Sequence, residues 1–200
     1  MLTKSSLAIK LSALKDFQEP KMHLEQYLTP SELAASLLHS AAMQEDIQGK
    51  RILDLGCGTG VLGIGACLLE ASHVTFLEVD ADAISVLEKN LQLVSTPHEV
   101  IHAPLRAVDA DTVVMNPPFG TKRRHADKQF LLAAMQSAPV IYSIHLAGSE
   151  EFLDAVAAKK GFVRTHSWEF SFALPASMPA HTKKRAEVAV VAVRFEQQRL

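Results

Sequence analysis

Cysteine is scarce in this chain. Two residues, Cys57 and Cys67, among 200 supply neither a disulfide framework nor paired metal-ligand spacing. A reducing, cytoplasmic setting is the expectation, with both thiols as small packing groups. Nine histidines are scattered without ligand spacing, so no metal is expected. His23-Leu24-Glu25 matches the start of a zinc-deaminase motif, but no Pro-Cys-x-x-Cys follows it. No charge of one sign predominates, since 20 basic and 22 acidic residues give a formal net charge of -2. That excludes a uniformly basic coat for nucleic acid, and any such contact must come from local clusters. No apolar run reaches membrane-spanning length. The opening stretch, interrupted by Lys4, Lys10 and Lys15, reads as an amphipathic helix and not a signal peptide. Repeats, low-complexity linkers and composition breaks are missing too. Residues 1–200 are therefore expected to form one domain, with 1–45 as a helical cap.

What is present is a globular composition, 48% hydrophobic and 21% charged. Thr29, Pro30 and Glu32 fit an N-cap, an N1 proline and a capping-box partner for a helix near 30–43. From Arg51 the pattern becomes strand, turn, helix, repeated. Arg51–Leu55, Val74–Glu78, Val100–Ala103, Thr112–Met115 and Val140–Ile144 read as strands. Val61–Leu69 reads as a helix, and further helices are expected near 127–137 and 149–159. Asp80 caps another in which Ala83, Ile84, Leu87 and Leu91 share a face. Phe162–Leu174 and Glu187–Phe195 follow with no helix between them, so they are expected to pair antiparallel, with Phe170 and Phe172 in the core. The sum is an α/β fold: a doubly wound, mostly parallel sheet with one reversed strand and an N-terminal helical extension. Ligands in such sheets bind outside the carboxyl ends of the strands.

Asp54-Leu55-Gly56-Cys57-Gly58-Thr59-Gly60 stands where the first strand meets a helix. Glycines let the backbone turn sharply and let a ligand approach it closely. Gly58-Thr59-Gly60-Val61-Leu62-Gly63 also satisfies the dinucleotide fingerprint, so a dinucleotide site stays open. The tighter G-x-G-x-G after an acidic residue favours S-adenosylmethionine, which has an ammonium in need of an acceptor and no pyrophosphate to cradle. Asp54 suits that ammonium, and Glu78 suits the two hydroxyls of a ribose.

Asn116-Pro117-Pro118-Phe119 follows an apolar strand at the same edge. A conjugated exocyclic amine is a poor nucleophile because its lone pair is delocalised. Acceptors on its N–H groups help it become tetrahedral, and the Asn116 side-chain oxygen and Pro117 carbonyl are such acceptors. Pro117 and Pro118 stiffen the loop, while Phe119 offers a face for a flat substrate. Catalysis then rests on in-line placement, without a separate general base.

On these motifs the chain resembles the methyltransferase-like-protein-five family of archaeal and eukaryotic ribosomal-RNA adenine methyltransferases. The carriers are Glu25-Gln26-Tyr27-x-Thr29, the glycine turn, Asn116-Pro117-Pro118-Phe119-Gly120-Thr121-Lys122, Tyr142-Ser143-Ile144-His145 and Leu174-Pro175-Ala176-Ser177. The resemblance implies a seven-stranded Rossmann-like methyltransferase sheet and N6 methylation of one adenosine in ribosomal RNA. It implies that Gln26, Thr29, Gly56, Thr59 and Glu78 touch the cofactor and that Asn116 to Phe119 form the adenine pocket. It also implies a small activator protein added to the sheet edge. Two departures bear on the cofactor: Pro104 stands where the family has an acidic residue, and Glu78 stands where it has Asp.

Lys122-Arg123-Arg124 and Lys183-Lys184-Arg185 form two basic clusters. If the strand after Phe162 is parallel to its predecessors, both flank the Asn116 site and suit phosphates beside a flipped base. His145 and His181 suit structural or surface roles. Two rival readings remain: methylation of a protein glutamine amide, and a non-catalytic cofactor-binding assembly factor, suggested by Pro104.

Overall fold

The computed structural model describes residues 2–119, 126–173 and 187–198. In chain order it contains α1 (Lys4–Ser12), a single 3-10 turn (Met22–Leu24), α2 (Ser31–Met43), β1 (Arg51–Leu55), α3 (Val61–Leu68) and β2 (His73–Glu78). Then come α4 (Ala81–Leu91), β3 (His98–His102), β4 (Thr112–Met115), α5 (Ala126–Ser137), β5 (Val140–Leu146), α6 (Glu150–Ala158), β6 (Phe162–Ala173) and β7 (Glu187–Gln197).

The seven strands form one sheet in the order β3-β2-β1-β4-β5-β7-β6. β1 pairs parallel with β2 and β4, and the parallel pairing extends to β3 and β5. β7 lies antiparallel to both β5 and β6, so it is the one reversed strand. The doubly wound, mostly parallel sheet expected from the alternating pattern is thus the observed one. β6 runs parallel to β5 and ends at the edge where β4 ends. The central strands are buried on both faces, as their near-continuous apolar runs require.

Two apolar layers enclose the sheet. One packs α1 to α4 on one face through residues such as Leu7, Leu38, Ile64 and Leu87. The other packs α5 and α6 on the opposite face through Leu131, Met135 and Leu153. Full burial of each leucine stabilises the fold by about 1.5–3 kcal/mol, so these layers dominate the cohesion. A polar group completes the first layer. Arg194 Nε donates to Asp46 Oδ2 at 2.8 Å and to Tyr142 Oη at 3.1 Å, while Tyr142 donates to the same Asp46 oxygen at 2.7 Å.

Several local expectations change. Thr29 does not cap α2. Pro30, expected at the first helical position, occupies the cap position and has no side-chain group to offer, while the Thr29 hydroxyl accepts from Asn116 instead. Asp80 does cap α4, accepting from the Asp82 amide at 3.2 Å. The buried face of α4 holds Val86 and Asn90 beside Ala83, Leu87 and Leu91, with Ile84 only half-buried. β3 begins two residues earlier than expected, at His98, and ends at His102. Phe170 packs half-buried against the first layer. The Phe172 side chain lies outside the described residues, as do Lys122, Arg123, Arg124, Lys183, Lys184, Arg185 and His181.

Candidate active site

Register brings the site together. Leu55 pairs with Leu77, and Asp54 with Val114, so the glycine turn, Glu78 and Asn116 leave the sheet at one level. β1 lies between β2 and β4, which places the turn between Glu78 and Asn116. At about 4.8 Å per strand, those two backbones stand about 10 Å apart. Strand order reverses at this point, where doubly wound sheets open a crevice.

The crevice is a cavity of about 240 Å³. Its sheet-side wall is Asp54, Gly56, Gly58, Thr59, Glu78 and Asn116, and residues 23–29 close it from the other side. Ala103, Pro104 and Leu105 line one end, with Pro118, Gln129 and Phe130 also exposed to it. Of the sequence-predicted residues, Gln26, Thr29, Asp54, Gly56, Gly58, Thr59, Glu78, Asn116 and Pro118 line the cavity. Gly60, Pro117 and Phe119 do not.

Gly60 has another reason to be glycine. Its φ is +91°, and a Cβ there would approach Leu87 Cδ1 to 2.3 Å, so the turn needs it for packing on α4. Gly58, at φ +54°, would set a Cβ 2.8 Å from the Phe17 ring. Phe17 and Phe130 were invisible to sequence reasoning, for nothing in their spacing ties them to the glycines they touch. Asn90 was missed as well. Its amide nitrogen donates to the carbonyls of Lys15 and Thr59, both at 3.0 Å, fastening the chain after α1 to the glycine turn.

Two carboxylates flank the turn. Asp54 is buried, and its Oδ2 accepts from the Gly63 amide at 2.7 Å. Burial pushes its pKa up to about 7, opposed by that hydrogen bond and reinforced by the charge of Glu78. Glu78 Oε2 accepts from the Gly58 amide at 2.8 Å, and Oε1 from the amides of Val79 and Asp80 at 2.8 and 2.9 Å. A carboxylate has about four acceptor sites, so three are filled and one faces further use. Two ribose hydroxyls therefore fit only if one backbone bond is released.

The segment from Lys21 to Thr29 is a strap fastened at both ends. Lys21 Nζ pairs with Asp80, and with Asp82 at 2.7 Å. Gln26 Nε2 donates to Asp80 Oδ2 at 2.7 Å, while Gln26 Oε1 accepts from the Lys21 amide at 2.8 Å. Burial opposes ionisation of Asp80, but the bonds from Lys21 and Gln26 outweigh it and hold the carboxyl below its usual range. Its bonds to Asp80 and Asp82 push Lys21 up to about 12. Gln26 thus lines the cavity with its amide already committed to the strap. At the other end, the Tyr27 hydroxyl donates to Asn116 Oδ1 at 2.8 Å. Asn116 Nδ2 in turn donates to Thr29 Oγ1 at 2.9 Å. Tyr27 was legible only as part of a motif, with no role attached.

The remaining candidates are buried. His145 is buried beside Ser143, its Nε2 at 2.6 Å from the hydroxyl, and burial pushes its pKa down to about 3. Cys57 and Cys67 are buried free thiols, both pushed up by burial. Among the described residues no cluster of His, Cys, Asp or Glu is arranged to hold a metal, and no helix is long and apolar enough to cross a membrane.

A cavity at the switch point of this sheet, with a glycine turn between two carboxylates, fits a methyltransferase. Residues 31–139 match the model of the methyltransferase small domain. The chain is 34% identical to rRNA N(6)-adenosine-methyltransferase METTL5 of Danio rerio, covering 92% of this chain and 94% of that one. It is 33% identical to the uncharacterized protein MJ0284 of Methanocaldococcus jannaschii, covering 98% and 95%. The crystal structure of PH1948, an RNA methyltransferase candidate from Pyrococcus horikoshii, superposes with a TM-score of 0.92 at 43% identity over 98% of both chains. Similarity of this order along nearly the whole length shows that the chain belongs to the METTL5 family of methyltransferases.

Proposed function

We propose that the protein transfers the methyl group of S-adenosylmethionine to the exocyclic N6 of an adenosine in structured RNA, with ribosomal RNA as the substrate. The observation that carries this reading is the position of Asn116, which lines the same cavity as Gly56, Gly58 and Glu78. The name borne by the zebrafish relative supports it over the rival classes.

The residues present fit the cofactor, because two carboxylates stand on either side of a glycine turn with apolar surface between them. S-adenosylmethionine supplies an electrophilic methyl on a cationic sulfur. In this reading Asp54 accepts its ammonium and Glu78 a ribose hydroxyl. Gln26, Thr29, Gly56, Gly58 and Thr59 shape the remaining contact, with Gly60 packing the turn on α4. Pro104 and Leu105 flank the adenine with apolar surface and backbone groups in place of the family's acidic residue. Asn116 Oδ1 accepts an N–H group of the incoming amine, so its lone pair localises as it attacks. One amine proton then leaves to water. Pro118 lines the cavity beside the ring, while Phe119 lies behind the lining and packs on Tyr27 at 5.4 Å between centroids.

An adenosine must leave its stack to reach this depth. Lys122, Arg123, Arg124, Lys183, Lys184 and Arg185 serve as phosphate contacts around it. The carboxyl-edge ending of β6 supports that arrangement, since the chain leaves β6 at the edge of Asn116. A small activator protein pairs with an open edge of the sheet, and the exposed His98 and Glu99 of edge strand β3 suit such addition. The chain acts as one domain, in the cytoplasm, with residues 1–45 as part of the site.

Incubation with labelled methyl donor and ribosomes tests the reading. Label is expected in adenosine of ribosomal RNA. Label on a protein glutamine would instead establish an amide methyltransferase, and no label at saturating enzyme would leave a cofactor-binding assembly factor. Asn116→Ala is expected to abolish transfer while cofactor affinity changes by less than about threefold, because the cofactor meets the turn and not the carboxamide.

A further inference from the structure

We propose that Tyr27 is a positioning residue for methyl transfer, fixing the Asn116 carboxamide so that its oxygen faces the acceptor amine. The inference rests on the methyl-transfer reading given above.

Prolines after Asn116 stiffen its backbone, yet they do nothing for the side-chain torsion. A terminal amide torsion is broad and roughly two-fold, so a free asparagine exchanges Oδ1 and Nδ2 readily. That exchange matters here. A flipped carboxamide would present N–H donors to an amine that also offers N–H, and the acceptor needed in the transition state would be gone.

The strap removes this freedom. Tyr27 donates to Oδ1 at 2.8 Å, and Nδ2 donates to Thr29 at 2.9 Å, so both ends of the amide are gripped. A flip would force the phenol oxygen to accept from Nδ2, a role in which it is poor. The Tyr27 ring is held in its own right, packed at 41° to the Phe119 ring. Desolvation raises the phenol far above its ordinary pKa, so it stays a protonated donor across the working pH range. Oδ1 has two lone pairs, and Tyr27 takes one while leaving the other for the substrate.

The same strap reaches the cofactor end of the cavity. Lys21 and Gln26 fasten it to Asp80, two residues beyond Glu78. Seating of the strap therefore completes the cofactor wall and orients the acceptor group together.

Tyr27→Phe in the full chain tests this, since it removes only the hydroxyl. Loss of one such hydrogen bond is expected to lower kcat about tenfold, with cofactor Kd and RNA KM changed by less than about threefold. In cofactor-saturated enzyme labelled with nitrogen-15, the Asn116 side-chain NH2 pair is expected to be sharp in the wild type and shifted or broadened in Tyr27→Phe. A variant kcat within about twofold of wild type would overturn the proposal, as would a fall in cofactor affinity that matches the fall in turnover. If the wild type places no methyl in RNA, the functional reading fails by itself. The Asn116 NH2 signals then decide the clamp, and an unchanged pair in Tyr27→Phe refutes it.

Discussion

Replacing Asp54 with asparagine isolates what it costs to keep a charge in the wall of the cavity. Asp54 is 1% exposed, and burial lifts its pKa from 3.8 to about 7. Between those two values the folded protein holds a proton that the unfolded chain has lost. Stability therefore falls as pH rises through that window, and the full cost is present above the folded pKa. At about 1.4 kcal/mol per pH unit the cost reaches about 4 kcal/mol, of which about 3 kcal/mol accrues between pH 5 and pH 8. Asparagine keeps an oxygen for the Gly63 amide but does not titrate. Urea unfolding of both proteins at the two pH values, without cofactor, reads the difference. The gap in stability is expected to move by about 3 kcal/mol in favour of the variant at the higher pH. A gap constant to within roughly 0.5 kcal/mol would refute the buried-charge reasoning. Cofactor binding gives an independent check, because a cation beside Asp54 draws its proton away. Wild-type affinity is expected to tighten as pH rises from 6 to 8 with proton release, whereas the variant binds more weakly and without that dependence.

Two further substitutions probe the scaffold beyond Asn116→Ala and Tyr27→Phe. Arg194→Met leaves Asp46 beside Tyr142 without its cation, and breaking a buried pair of this kind is expected to cost about 3–5 kcal/mol in urea unfolding. An unchanged midpoint would show that the pair contributes nothing. Gly65→Ala sets a Cβ 2.3 Å from Leu38 Cδ1, where α3 meets α2. Overpacking of about 1–3 kcal/mol should exceed the helix-propensity gain of about 1 kcal/mol, giving a lower Tm. A higher Tm would mean that the two helices part more easily than their packing suggests.

Much of this architecture was legible in the chain because its signals are local. Apolar runs at Arg51–Leu55 and Thr112–Met115 mark strands buried on both faces. Asp80 ahead of a 3.6-residue pattern marks a capped helix, and the glycine turn marks a close backbone approach. Thr29 shows where local reasoning fails. Its sequence context fits an N-cap, but the hydroxyl bonds to Asn116, 87 positions away. The cap bond competes with a tertiary one, and only packing decides which forms. Gln26 and Glu78 teach the same lesson, since both point at a ligand by motif and both already hold the backbone or the strap together. Phe17, Phe130 and Asn90 carried no readable signal, because their partners are glycines and carbonyls brought near by the sheet.

The sequence by itself determined the alternation of strands and helices, the glycine turn and the Asn-Pro-Pro-Phe loop, since periodicity and turn chemistry act over a few neighbours. Tertiary structure decided the rest. It set strand register, the raised pKa of Asp54 and the hold of Tyr27 and Thr29 on Asn116. Desolvation and hydrogen bonding between distant segments depend on which surfaces meet, and that is a property of the folded whole.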